Sequence, residues 1–127
     1  MNDEHVAEQV LEANMGFYLA LEQGDLQAMD ELWSDDDEVL CAHPGRGPLR
    51  GWPEVRQSWA AIFANAGNPQ VIVTDAVVTV RHPLAWVTVT ENLLAGGHTS
   101  VATALNMFEY DGQRWRMVAH HASPLMG

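Results

Sequence analysis

The sequence predicts an α+β domain: a cone-shaped, curved antiparallel sheet with N-terminal helices packed on its concave face, enclosing a pocket. Three observations predict it. Apolar residues recur at helical spacing through the first half of the chain and at alternate positions from residue 70 onward. The segments of period two are joined by RHPL, AGG and DG, all short enough for antiparallel hairpins. A chain of 127 residues with 47% hydrophobic content can bury one core, so residues 1–127 read as one domain. Helices first and a strand meander after them is the α+β order. A curved sheet closed by helices leaves one open end, a natural place for a small molecule.

The elements follow in order. Residues 3–22 read as an amphipathic helix with Val6, Val10, Ala13, Phe17 and Leu21 on one stripe. Gly24 stops it, and Asp25 caps a short second helix carrying Leu26, Met29, Leu32 and Trp33. The run Asp35-Asp36-Asp37-Glu38 breaks that helix, and four like charges in a row suit a solvated turn. A strand is expected at 38–43, then the Gly/Pro-rich loop PGRGPLRG. Pro53 suits the first turn of a third helix, whose stripe is Val55, Trp59, Ile62, Phe63 and Ala66, with Gly67 closing it. Strands are expected near 71–80, 85–95, 99–110 and 114–122.

Composition narrows the function. The net charge is −11, and every cation is an arginine. Such a surface repels phosphate backbones and anionic lipid, so neither nucleic acid nor membrane is an expected partner. No apolar run has the length of a membrane helix, and the acidic start does not read as a leader peptide. A lone cysteine, Cys41, forms no internal disulfide, which points to the cytoplasm. HExxH and CxxC spacings are missing, and PGRGPLRG lacks the context of a phosphate loop. No metal and no cofactor is therefore expected.

The histidines draw attention because their pKa lies near neutrality. His43 ends the first strand on the parity of Val39 and Cys41. It is either a base facing a ligand or the residue that holds the Pro-Gly turn. In the last strand, strict alternation groups His121 with Trp115, Met117, Ala119 and Ser123. It groups His120 with Arg116, which favours water, so His121 is expected inward and His120 outward. Asn106 lies on the parity of Ala102, Ala104 and Phe108. Small neighbours around an amide leave room for a ligand; the other reading is an amide tying strands together. Glu91 shares an apolar face with Val87 and Val89, where burial would raise its pKa; otherwise it lies at a wet edge. Phe17, Trp59 and Met107 are the expected apolar lining of the pocket, and Arg46 and Arg50 flank its mouth.

Three segments together resemble the SnoaL-like, or nuclear transport factor 2-like, superfamily: ALEQGDLQAMDELWSDDDEV, HPGRGPLRGWPEVRQSW and NMFEYDGQRWRMVAHHAS. The last is also similar to the calmodulin-dependent kinase association domains at its His121-x-Ser123 ending. In the ketosteroid isomerases of this fold, a general-base aspartate precedes a proline after the first short strand. That position here is His43, before Pro44. The oxyanion-hole acid corresponds to Asn106, and the oxyanion-hole tyrosine to Phe17, with Tyr18 about 100° away around the helix. The resemblance implies a cofactor-independent isomerase, cyclase or lyase acting on a small apolar or aromatic carbonyl compound. His43 would be the base, and Asn106 and His121 would hold the oxyanion. The alternative it implies is a non-catalytic ligand-binding or oligomerisation module. A homodimer through the outer face of the sheet is expected in either case.

Overall fold

The computed structural model describes residues 3–65 and 69–125. Three helices precede and interrupt the strands: α1 (Asp3–Gln23), α2 (Leu26–Leu32) and α3 (Trp52–Asn65). Two short strands, β1 (Leu40–Ala42) and β2 (Leu49–Arg50), flank the loop before α3. Four long ones follow: β3 (Gln70–Arg81), β4 (Leu84–Ala95), β5 (His98–Tyr110) and β6 (Trp115–Pro124). The expected closing residues of α3, Ala66 and Gly67, lie outside the described residues.

The strands form one sheet in the order β2-β1-β6-β5-β4-β3. The β3–β6 meander is antiparallel, as its short connections require. Two details differ from the expectation. β2 pairs with β1 inside the Gly/Pro-rich loop. β1 itself runs parallel to β6, so the sheet is mixed. The chain between β1 and β6 holds β2, α3 and strands β3–β5, which gives the crossover that a parallel pair needs.

Local chemistry sets the helix ends. Asp25 accepts a hydrogen bond from the Ala28 N–H at 3.0 Å and caps α2. Gly51 sits at φ 88°, where its N–H reaches Val39 O at 2.9 Å and its Cα faces the Asp37 backbone. A side chain at that φ would be strained, so this glycine fixes the entry into α3. The acidic run forms an exposed turn, in which Asp36 accepts from the Glu38 N–H at 2.8 Å and from Ser34 Oγ at 2.9 Å.

The helices cover one face of the sheet. Beneath them lie Val87, Val89, Ala102, Ala104 and Phe108, all buried. α1 buries Val6, Val10, Asn14, Phe17, Tyr18 and Ala20. Its inward face is therefore turned toward Asn14 and Tyr18, leaving Ala13 and Leu21 half-buried. An aromatic row crosses all three helices: Trp52 on Trp33 (5.7 Å between centroids), Trp33 on Phe17 (6.4 Å), Phe17 on Trp59 (5.5 Å) and Trp59 on Phe63 (6.0 Å). Burying one such ring fully is worth roughly 1.5–3 kcal/mol, so this row anchors the helices to the sheet. None of the described helices is long and apolar enough to cross a membrane.

Two irregularities change which side chains face inward. β3 carries an extra residue between Thr74 and Val77, with Asp75 at φ 57°. β6 carries one at Val118: Met107 pairs with Ala119, but the next residue, Phe108, pairs with Met117. Such a bulge reverses the alternation beyond it.

Candidate functional site

The bulge at Val118 decides the histidines. Trp115 and Met117 point inward before it, and His120 and Ala122 do so after it. His120 is buried and His121 is exposed on the outer face. The expected order is thus reversed, because strict alternation does not survive an inserted residue. Met107 also lies on the outer face, between Trp86 and Ala119, and lines no inward pocket. Its neighbour Asn106 takes the inward place and is fully buried.

Asn106 is the hub of a buried polar cluster. Its Nδ2 donates to Asn14 Oδ1 at 2.8 Å and to the Tyr18 hydroxyl at 3.0 Å. Its Oδ1 accepts from His120 Nδ1 at 2.6 Å. The acceptor fixes the tautomer: Nδ1 of His120 carries the proton. The Tyr18 hydroxyl donates onward to Glu91 Oε2 at 2.6 Å. The donors of His120, Asn106 and Tyr18 run in one direction to Glu91, and the second Asn106 N–H branches to Asn14. Burial raises the Glu91 pKa, with the Tyr18 hydrogen bond opposing it. Burial, together with the neighbouring Glu91 charge and hydrogen bond, pushes the Tyr18 phenol well above its ordinary value. Burial, helped by the charges of His43 and His121, lowers His120 to about 3. At neutral pH His120 is an uncharged donor.

The tyrosine of this cluster is Tyr18. Phe17 instead packs on His120 at 4.8 Å and on Trp59. The helix presents both residues to the interior because its buried face spans more than one stripe. The i, i+4 spacing of Val10, Asn14 and Tyr18 is the signal in the sequence that marks Asn14 and Tyr18.

A second region opens to the surface. A cleft of about 610 Å³ is lined by His43, Arg46, Gly47, Leu49, Ser58, Ala61, Ile62 and Asn65. β1 delivers His43, the following loop delivers Arg46 and Gly47, and one face of α3 delivers Ser58, Ala61, Ile62 and Asn65. His43 is half-buried, and its Nε2 lies 2.9 Å from Ser58 Oγ. Ser58 Oγ also lies 2.6 Å from Val55 O, which can only accept. The hydroxyl proton therefore goes to the carbonyl, and His43 Nε2 is the protonated donor. Nδ1 of His43 is then the basic nitrogen, and it has no hydrogen-bond partner among the described residues. Burial first, and the Arg46 charge second, lower the His43 pKa and keep the ring neutral near pH 7. Cys41 lies 3.8 Å from the ring, but burial and the Glu91 charge push its thiol up to about 12, so it is no nucleophile.

Of the residues expected from the sequence, His43 and Arg46 line this cleft, while Arg50 does not. Phe17, Glu91 and Asn106 belong to the buried interior, and His121 and Met107 to the outer face. Trp59 joins the two regions: its indole meets His43 edge-on at 4.7 Å and lies 5.9 Å from His120. Ser58 carries no motif, and only its place one residue before Trp59 on α3 ties it to His43.

Comparison with known proteins agrees with this architecture. A SnoaL-like domain model matches residues 10–127. A provisionally assigned dehydratase of the NTF2-like family from Streptomyces avermitilis is 37% identical, with a TM-score of 0.93 over 99% of this chain and 100% of that one. A provisionally assigned calcium/calmodulin-dependent protein kinase type II association domain from Thiobacillus denitrificans is 36% identical, with a TM-score of 0.83 over 90% of this chain and 93% of that one. The F-box protein SKIP8 of Arabidopsis thaliana is 32% identical over 117 residues, 92% of this chain. The chain spans about half, 50%, of the length of that curated relative.

Proposed function

The chain belongs to the SnoaL-like family, and from that premise we propose that it is a cofactor-independent acid–base enzyme, a lyase or isomerase, acting on a small carbonyl compound in the His43 cleft. His43 carries this reading, as a neutral imidazole lining the cleft with one nitrogen held by Ser58 and the other uncommitted. A base for carbon acids needs this state near neutral pH. Nδ1 would take a proton from the carbon next to the carbonyl. In an isomerisation the imidazolium returns that proton to another carbon. In a dehydration it gives it to the departing hydroxyl, which leaves as water. The likeness to the Streptomyces dehydratase supports the second course. Asn106 has no donor left for an oxyanion, because Asn14 and Tyr18 take both of its N–H groups. The charged donor at the cleft is the Arg46 guanidinium.

The test is proton exchange in heavy water, followed by NMR with phenylacetone, acetophenone and cyclohexanone. Wild-type protein should accelerate exchange next to at least one carbonyl. His43→Gln should slow it about 100-fold or more while melting within a few degrees of wild type. Activity should rise with pH along a limb below 6.5, because the base must be neutral and its pKa is lowered. Equal exchange by wild type and His43→Gln, or none above buffer with all three ketones, would sink the proposal.

A second reading concerns assembly. Ile72, Val77, Leu94, Val101 and Leu105 all lie on the outer face and are 38–60% exposed. Large apolar side chains exposed together on one sheet face, among threonines and Asn92, suit an interaction surface, and the likeness to the Thiobacillus association domain supports self-association there. Light scattering should find a dimer or larger species, and Leu105→Arg should reduce it to monomer. A wild-type monomer at high micromolar concentration would end this reading.

A further inference from the structure

We infer that the His43 cleft takes a carboxylate, its anionic head seated on Arg46 and its apolar, ring-sized body laid on Leu49, Ala61 and Ile62. The inference deepens the functional reading above and rests on that cleft being the working site.

Charge is the first argument. The chain has 17 acidic residues against six cations. Two of the arginines pair directly with acids, two share depressions with them, and Arg81 bonds only the carbonyl of Val80 among the described residues. Arg56 binds Asp30 at 2.7 Å, and Arg116 binds Asp111 at 2.9 Å. Arg50 shares a surface depression with Asp36, Glu38 and Glu109, and Arg114 shares one with Glu31. Arg46 differs in its setting: the cleft it lines contains no carboxylate, and its side chain makes no hydrogen bond or ion pair among the described residues. The loop separates the two cations, sending Arg50 toward the acidic turn and Arg46 toward His43. Gly45 and Gly47 flank Arg46, and space is open around both of their Cα atoms, so nothing obstructs an approaching anion.

Shape is the second argument. Leu49, Ala61 and Ile62 make an apolar wall beside the cation and the histidine. A surface arginine–carboxylate pair alone is weak in water. The wall adds burial of the ligand body and lowers the local dielectric, and a mostly apolar pocket of this size with a few polar groups suits a small organic acid.

The arrangement also couples binding to chemistry. Burial first and the Arg46 charge second keep His43 neutral; a carboxylate on Arg46 cancels the second of these and raises the basicity of Nδ1 once the substrate is seated. The other groups facing His43 are Cys41 from β1, Ser58 and Trp59 from α3, and His120 from β6. Of these, Cys41 and His120 stay uncharged at neutral pH, so Arg46 is the one that a ligand can switch.

Calorimetry with phenylacetate and its neutral isostere phenylacetamide tests this. Wild type should bind the acid about tenfold more tightly than the amide. Arg46→Gln should erase the gap, while Arg50→Gln keeps it. NMR titration of His43 should move to higher pH when phenylacetate is bound, and not with the amide. His43→Gln should keep the acid–amide gap, which separates this inference from the catalytic one: a persistent gap with unchanged exchange rates defeats only the acid–base reading. Equal binding of acid and amide, equal losses in both arginine variants, or binding of neither compound overturns the anion site, and His43-dependent exchange of ketones would survive any of these.

Discussion

The buried cluster around Asn106 and the cleft around His43 use the same kinds of residue to opposite ends. In the cluster, Asn106 has both N–H groups and its oxygen engaged, and the Tyr18 proton is given to Glu91. In the cleft, His43 has one nitrogen uncommitted and Arg46 has no partner among the described residues. His120 Nε2 also has no hydrogen-bond partner among the described residues, but the residue is buried. A buried hydrogen-bonded network specifies a core, whereas groups left unpaired at a surface are available to a ligand. The residues with the most shifted pKa values are therefore not automatically the chemical ones. His120 is shifted further than His43, yet its ring lies beneath Phe17 and Trp59.

Asn106→Ala attacks this contrast most directly. It strips partners from Asn14, Tyr18 and His120 at once, and each buried group left unsatisfied costs about 1–3 kcal/mol. The expected loss is roughly 3 kcal/mol or more, a large part of the stability of a small domain. Urea unfolding checks it, with His43→Gln as the counterpart expected to lose less than about 1 kcal/mol. Should Asn106→Ala unfold normally but lose all exchange activity, the cluster would be the active centre and the contrast would be reversed.

The two ends of the cluster also respond to acid with opposite sign. His120 has a folded pKa of about 3 against an ordinary 6.5, so its contribution is complete above pH 6.5 and is lost as pH falls. Glu91 is raised above its ordinary 4.5, so its contribution is complete below that value and is lost as pH rises. Between these limits the two oppose each other and flatten the wild-type curve. Glu91→Gln should expose the histidine and cost about 2 kcal/mol between pH 6.5 and pH 5. His120→Gln should do the reverse, gaining stability over the same interval. Thermal melts of the three proteins at both pH values would reveal it, and parallel shifts in all three would mean that neither group titrates as a buried member of one network.

How legible this was from the sequence differs between fold and site. The helical stripe of α1, the cap at Asp25, the DG turn and the period-two segments each state a backbone preference locally, and together they fix the architecture. β1 lying parallel to β6 is not stated locally, because nothing in LCA names its partner strand. Facing direction inside β6 was out of reach for a similar reason. Val118 has the composition of any strand residue, yet its extra place in the register turns His120 inward and His121 out. Glu91 and Asn106 were legible as inward residues from their neighbours, but their link through the Tyr18 hydroxyl depends on α1 bringing Tyr18 and Asn14 over the sheet. The cleft was half legible: His43 stands before a Pro-Gly turn, while Ser58 becomes its neighbour only when α3 folds back over β1.

Ser58 gives the finest test of the contrast, because its effect should be small in stability and visible in chemistry. Its hydroxyl is a single contact to His43, 2.9 Å from Nε2, at the edge of an open cleft. Ser58→Ala should therefore cost no more than about 1 kcal/mol. The acceptor stabilises the imidazolium more than the neutral ring, so its loss should weaken His43 as a base. It also frees the ring to rotate or change tautomer. Exchange should slow about tenfold, and the ascending limb of the pH profile should move to lower pH. Ser58→Thr keeps the hydroxyl and should restore both. Removing a purely structural contact would lower the melting temperature and leave that limb where it stands. A limb that moves while the fold stays intact would mark Ser58 as a positioning residue, acting on the reaction through His43, in a way that no member of the buried cluster can imitate without first destabilising the core.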